Sequence, residues 1–128
     1  MCDIFQVQTS ICSLLTVSGV GSLGGNLFRE HMPESVDIGT VVKMTGGPID
    51  PADPTRRITF QIQHRNTSNA EGLRKATEIN SLLNNQWNII PGIPGRVVSV
   101  SEAGPSFTDA SGLTVFSLNY VVVTTTQR

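Results

Sequence analysis

Between residues 57 and 64 apolar and polar side chains alternate without a break, and this run most limits what the chain can become. Ile58, Phe60 and Ile62 fall on one side, Thr59, Gln61 and Gln63 on the other. A strict period of two describes a β-strand with one face on a core and the other on polar surroundings. His64 stays in phase with the apolar set and reads as a partly buried rim histidine rather than a base. Directly after it, Ser68-Asn69-Ala70-Glu71 has the spacing of a capping box, in which Ser68 and Glu71 satisfy helix-start N–H groups reciprocally. The helix it opens is expected to reach about Asn84 and to turn Leu73, Ala76, Ile79 and Leu83 to the core. Glu71 and Lys75 stand i,i+4 on the other side, a pair worth a few tenths of a kcal/mol.

The remaining elements arrange themselves around this strand and helix. Ile4, Val7, Ile11, Leu14 and Leu15 recur at helical spacing, and Asp3 is placed to cap that first helix. Its end falls at the glycine-rich stretch 19–25, which lacks the Lys-Ser/Thr of a phosphate-binding loop and follows a helical pattern rather than a strand. Residues 26–32 read as a short strand closed by Pro33, and residues 38–44 as a β-branched strand closed by Gly46-Gly47-Pro48. Residues 46–55 form a stiff loop rich in proline and aspartate. A second loop region covers 84–95, with Trp87 expected as a lid over the end of the second helix. Residues 96–101 are a strand and 102–112 a polar, turn-rich connection. The last strand, 114–124, sets Phe116, Leu118, Tyr120 and Val122 against Val115, Ser117, Asn119, Val121 and Val123. Its second half is apolar on both faces, so it is either central in the sheet or covered by another subunit. The expected fold is α+β: one domain over 1–128, a single mostly antiparallel sheet with two helices packed on one face.

Composition narrows the function. A chain of 128 residues can bury roughly two thirds of its surface, enough for a core without staples. With 38% hydrophobic and 15% charged residues it lacks the signature of disorder, and a net charge of −1 argues against the broad positive field of a nucleic-acid binder. Arg56-Arg57 is an adjacent basic pair, read as a solvated strand start. Cys2 and Cys12 would lie about 15 Å apart on a helix, beyond the roughly 7 Å a disulfide spans. They are read as reduced thiols of a cytoplasmic protein, and they make a poor zinc site. No run of apolar residues is long enough to span a membrane, and the apolar stretch 11–20 lacks the flanks of a signal peptide.

A catalytic constellation needs a nucleophile, a base and an orienting group within mutual reach. His31 precedes Met32-Pro33 with no nucleophile motif beside it. Asp50 and Asp53 stand between prolines and are read as turn-setting residues. No hydrolase elbow or zincin motif occurs, so no catalytic residue, cofactor site or metal site is expected.

The stretch 57–84 resembles the tail-terminator (tail completion, minor capsid) proteins of long-tailed bacteriophages. The resemblance rests on the strand ending Gln63-His64-Arg65, then a helix carrying Glu71, Ala76, Ile79, Leu83 and Asn84, with Gly72 where alanine is common. Gly46-Gly47-Pro48, the closing run 116–122 and the N-terminal helix are similar to the family as well.

The resemblance implies a structural virion protein, assembled in the host cytoplasm and carried in the tail or neck. It implies a homo-hexameric ring that caps the tail tube, ends tube polymerisation and docks the head-side connector, with DNA passing through the lumen unread. On that reading the inter-protein contacts fall on two loops, with Pro48, Ile49, Asp50, Asp53 and Arg56 at the first and Ser106, Phe107 and Asp109 in the second. The polar helix face with Arg74, Lys75 and Glu78, and the strand residues Val121 and Val123, are the other expected contacts. Two rivals stand beside it: a head-closure protein of the neck, and a small cytoplasmic enzyme or ligand-binding domain built on His31 or His64.

Overall fold

The computed structural model describes residues 4–21, 24–33, 36–46, 55–100, 105–108 and 112–125, with the backbone alone at 4, 5, 46, 55, 56, 105–107 and 125. Cys2, the expected cap Asp3, and Pro48, Ile49, Asp50, Asp53 and Asp109 lie outside the described residues.

Helix α1, Ile4–Val17, buries Val7, Ile11 and Leu15 as its spacing predicts. It stops where Gly19 takes φ 82°. The Val20 N–H then reaches the Leu15 carbonyl at 2.9 Å and the Gly19 N–H the Thr16 carbonyl at 3.1 Å. This is a Schellman closure, and buried Val20 supplies its usual hydrophobic contact beside Leu15. The glycine stretch therefore begins as a helix stop. Cys12 is a free thiol buried in the core, and burial pushes it up to about 11 against the opposing charge of Arg29.

The strands are β1 (Leu27–Arg29), β2 (Gly39–Gly46), β3 (Thr55–Asn66), β4 (Gln86–Trp87), β5 (Arg96–Ser99), β6 (Pro105–Thr108) and β7 (Thr114–Thr125), with helix α2 (Asn69–Leu83) after β3. They form one sheet in the order β1-β2-β3-β7-β5-β4, with β6 also on β7. The sheet is mixed: β1 runs parallel to β2, and the other pairings are antiparallel. The fold class is α+β, as expected. Two strands lie where loops were expected, β4 within 84–95 and β6 within 102–112. Each is held by its partner's backbone (Gln86 opposite Val97, Phe107 opposite Val115) and is too short to carry a periodic pattern of its own.

β7 is central. It pairs with β3 from Asn66 opposite Thr114 to Thr55 opposite Thr125, and with β5 and β6 on its other side. That position pairs both of its edges, while its apolar residues divide between the core face and the outer face. Ile58, Phe60 and Ile62 join Phe116, Leu118, Tyr120 and Val122 in a cluster that also takes in Val7, Ile11 and Leu15 of α1 and Ala76, Ile79 and Leu83 of α2. Phe60 and Tyr120 face each other across the strands and stack with centroids 5.3 Å apart. The Tyr120 hydroxyl donates to Asn80 Oδ1 at 2.9 Å. Tyr120→Phe keeps the stack and removes that bond, so urea titration should find a loss of about 1 kcal/mol.

Helix α2 departs from its sequence reading in three details. Gly72, not Leu73, is buried with Ala76, Ile79 and Leu83, while Leu73 is 44% exposed. The reason is Phe116, whose ring lies so close that a Cβ at position 72 would overlap it. Gly72→Ala gains about 1 kcal/mol of helix propensity, yet overpacking of about 1–3 kcal/mol makes the expected thermal-melt result a net destabilisation. The capping box is only half formed. Ser68 Oγ accepts the Glu71 N–H at 3.2 Å, but the Ser68 N–H donates to Asn66 Oδ1 at 2.9 Å. Glu71 instead pairs with Arg74 at 2.8 Å, and Arg74 lies 3.8 Å from Glu78, so Arg74 takes the place expected for Lys75. A guanidinium closes on the carboxylate with two N–H groups where an ammonium offers a single point charge.

Candidate docking surface

Opposite residues of antiparallel strands share a face, so the register assigns the outer side of the sheet. Alternation puts Thr59, Gln61 and Gln63 of β3 and Ser117, Asn119, Val121 and Val123 of β7 away from the core. One row runs Lys43, Gln61, Asn119, joined where Gln61 Nε2 donates to Asn119 Oδ1 at 3.0 Å. The next runs Thr59, Val121, Val98, and the last runs Arg57, Val123, Arg96, Trp87. Val98, Val121 and Val123 are half-buried, Arg57 and Arg96 exposed. Trp87 is 67% exposed.

Trp87 is thus not the expected lid. Asn85 adopts φ 60° after α2 and turns the chain back along β5, where the Asn85 N–H donates to the Val97 carbonyl at 2.8 Å. Asn84 Oδ1 accepts the Ser99 N–H at 2.9 Å, and Asn85 Oδ1 accepts Arg96 Nε at 2.8 Å. These bonds fix β4 at the sheet edge with Trp87 beside Arg96. Val121 and Val123, expected as contacts, are therefore brought together with Val98, Trp87, Arg57 and Arg96. Sequence reasoning did not include these four because only the register reveals them as neighbours.

The other expected contacts are spread out. Arg74 and Glu78 lie exposed on α2, and Lys75 is half-buried on the same helix. Arg56 lies in β3, and Ser106 and Phe107 lie in β6, with backbone alone described.

The histidine rival finds a definite geometry. His64 is 2% exposed, deeper than a rim position. Asn66 Oδ1 is committed to the Ser68 N–H, so its amide nitrogen faces His64 Nε2 at 3.0 Å as donor. Nε2 is then the acceptor and Nδ1 carries the hydrogen, donated to Thr40 Oγ1 at 3.0 Å. Burial, helped by the charge of Lys75 and opposed by a backbone bond to Gly39, lowers the imidazole to about 4. Both ring nitrogens are occupied, and the neutral ring ties β2 to the start of α2. It also lines an open pocket of about 330 Å³ of mixed character, with Val20, Ile38, Thr40, Asn66, Glu71 and Lys75. His31 is exposed in the segment after β1. Among the described residues no three His, Cys, Asp or Glu side chains gather as metal ligands, and no helix is long and apolar enough to cross a membrane.

The sheet's outer face presents aliphatic, indole and guanidinium groups, the chemistry of a contact surface in a structural protein. Residues 13–126 match the model of the family described as bacteriophage tail terminator protein, and the chain belongs to that family of structural components of the virion tail. No curated protein matches the sequence significantly.

Proposed function

We propose that the chain, as one domain over residues 1–128, closes with copies of itself into a hexameric ring. The ring caps the phage tail tube, stops addition of tube protein and offers its free side to the head-side connector, while DNA threads the lumen without sequence-specific contact. The observation that carries this reading is the family match over 13–126. The short strands at the sheet edges and the amphipathic outer face support assembly through side-chain surfaces. The two proline- and glycine-bearing segments, 46–55 and 102–112, the second of which contains β6, are the docking elements we assign to tube and connector.

The test is the mass of the purified protein by light scattering, with and without tail tube protein, followed by negative-stain imaging. A ring alone or on one end of a tube supports the reading. A monomer that leaves tubes uncapped ends it, and binding to the head connector but not to tubes moves the protein to the neck. Deleting residues 48–54 adds a sharper arm, because normal capping by that folded variant would remove the first loop from the docking surface.

The cavity beside His64 favours one second reading, a small-ligand pocket. A strictly monomeric protein whose His64 resonances shift on ligand titration would support it over the ring.

A further inference from the structure

We propose that Glu30 and Asn84 plug the two ends of the sheet. Each sets a side-chain oxygen where the next backbone carbonyl of a strand would stand, and so keeps a second copy of the chain from adding a strand. The inference concerns a contact that copies refuse, and it stands whether or not they close a ring.

Both ends reach the same solution from different local structures. On the β1 side the Thr40 N–H donates to the Asn26 carbonyl at 2.8 Å, and the Val42 carbonyl accepts the Glu30 N–H at 2.9 Å. The parallel register runs from Leu27 opposite Thr40 to Arg29 opposite Val42. Carried one step further, it would bring the Met44 N–H to the Glu30 carbonyl. Glu30 instead takes φ 63° and leaves the ladder, and the Met44 N–H donates to its Oε2 at 2.8 Å. On the β4 side, Gln86 opposite Val97 sets Asn84 opposite Ser99. Asn84 is still closing α2, with its N–H on the Asn80 carbonyl at 2.8 Å and its own carbonyl turned to Gln86 Nε2 at 3.4 Å. The Ser99 N–H is met by Asn84 Oδ1 at 2.9 Å.

A side-chain oxygen ends a ladder as a backbone carbonyl cannot. It accepts the N–H but brings no further row of backbone donors and acceptors for the next strand to read. The Glu30 plug is also locked from behind. Gln8 of α1, 5% exposed, donates through Nε2 to Glu30 Oε2 at 2.7 Å and to the Val42 carbonyl at 3.0 Å. That accounts for a buried polar side chain on the core side of α1: it holds the carboxylate against the strand it caps. With its plug gone, β2 would offer the Met44 N–H to a neighbour's equally bared β2, edge to edge, and β5 would offer the Ser99 N–H likewise.

The experiment uses the full chain. Glu30→Gly removes one plug while suiting the left-handed backbone, and Asn84→Ala removes the other. Glu30→Gln and Asn84→Asp keep an acceptor oxygen in place. Fold is checked by circular dichroism, and Glu30→Ala or Asn84→Gly replaces a variant that fails to fold. Amide hydrogen exchange of the dilute wild type should find Met44 slowed about tenfold or more and Ser99 by less, as a charged and a neutral acceptor differ. Light scattering at rising concentration should find Glu30→Gly and Asn84→Ala growing past the wild-type mass. Their bared amides should exchange freely in dilute protein and become protected in the larger species, while Glu30→Gln and Asn84→Asp keep the wild-type mass. Folded plug-free variants that hold that mass overturn the proposal, each for its own edge. Growth in which the bared amide stays exposed overturns it as well, because the contact then lies elsewhere. So does growth of the variants that keep the oxygen, and so do wild-type Met44 and Ser99 amides that exchange as freely as in an unfolded chain.

Discussion

Gly95→Ala is expected to destabilise the protein by about 2–5 kcal/mol, a large part of the roughly 5–15 kcal/mol that holds a domain folded. Gly95 has φ 135°, a conformation L side chains rarely adopt, and an added Cβ would run into the Val123 carbonyl and the Thr124 backbone. Backbone atoms of a central strand cannot rotate away as a side chain can. The residue is also fixed from both ends, its N–H donating to Asn88 Oδ1 at 2.8 Å and its carbonyl accepting the Asn88 N–H at 2.7 Å. Gly92 supplies the control. It has φ 77° with nothing near its missing Cβ, so Gly92→Ala carries only the left-handed penalty of about 1–2 kcal/mol. Urea midpoints that rank the two variants equally would remove the steric argument.

Acid is expected to act through His64. Its ordinary value of 6.5 falls to about 4 in the fold, so between those limits the unfolded chain binds the proton and the folded chain does not. The stability held by the neutral ring is present above pH 6.5 and drains away as pH falls through 4. At about 1.4 kcal/mol per unit the full loss is about 3 kcal/mol. Protonation would also set an N–H on Nε2 against the Asn66 amide nitrogen, breaking the bond between His64 and Asn66, the residue that holds the Ser68 N–H at the start of α2. Carboxylates titrate in the lower part of the same window, so the informative quantity is the difference from His64→Gln, which cannot titrate there. A wild type and variant with parallel stability curves from pH 7 to pH 4 would refute this role.

What could be read before the fold was seen follows from length and regularity. β3, β7 and α2 announce themselves because each repeats its period several times; of the two readings left open for the second half of β7, a central strand or a subunit contact, the central position is what the pairing shows. β4 and β6 have two and four residues, so partners decide their existence, whereas the strand expected over 26–32 is present as the three residues of β1. The burial of Gly72 in place of Leu73 depends on where one phenylalanine ring comes to rest, and periodicity holds no record of it. Trp87 was misplaced because a left-handed asparagine turned the chain. Of the expected contact residues, Val121 and Val123 gained neighbours only through cross-strand register.

The rim of the sheet has a consequence for how copies can meet. Its outermost strands are those same short pieces, and beyond β1 the backbone N–H of Met44 on β2 is occupied by the carboxylate of Glu30 at 2.8 Å. Glu30 reaches it from φ 63°, a turn that ends β1 as it delivers the acid. Among the described residues, a stranger's backbone finds little unclaimed ladder to extend, and copies can crowd together without zipping into fibres. Association is left to side chains, which can tell one neighbour from another as a bare strand edge cannot.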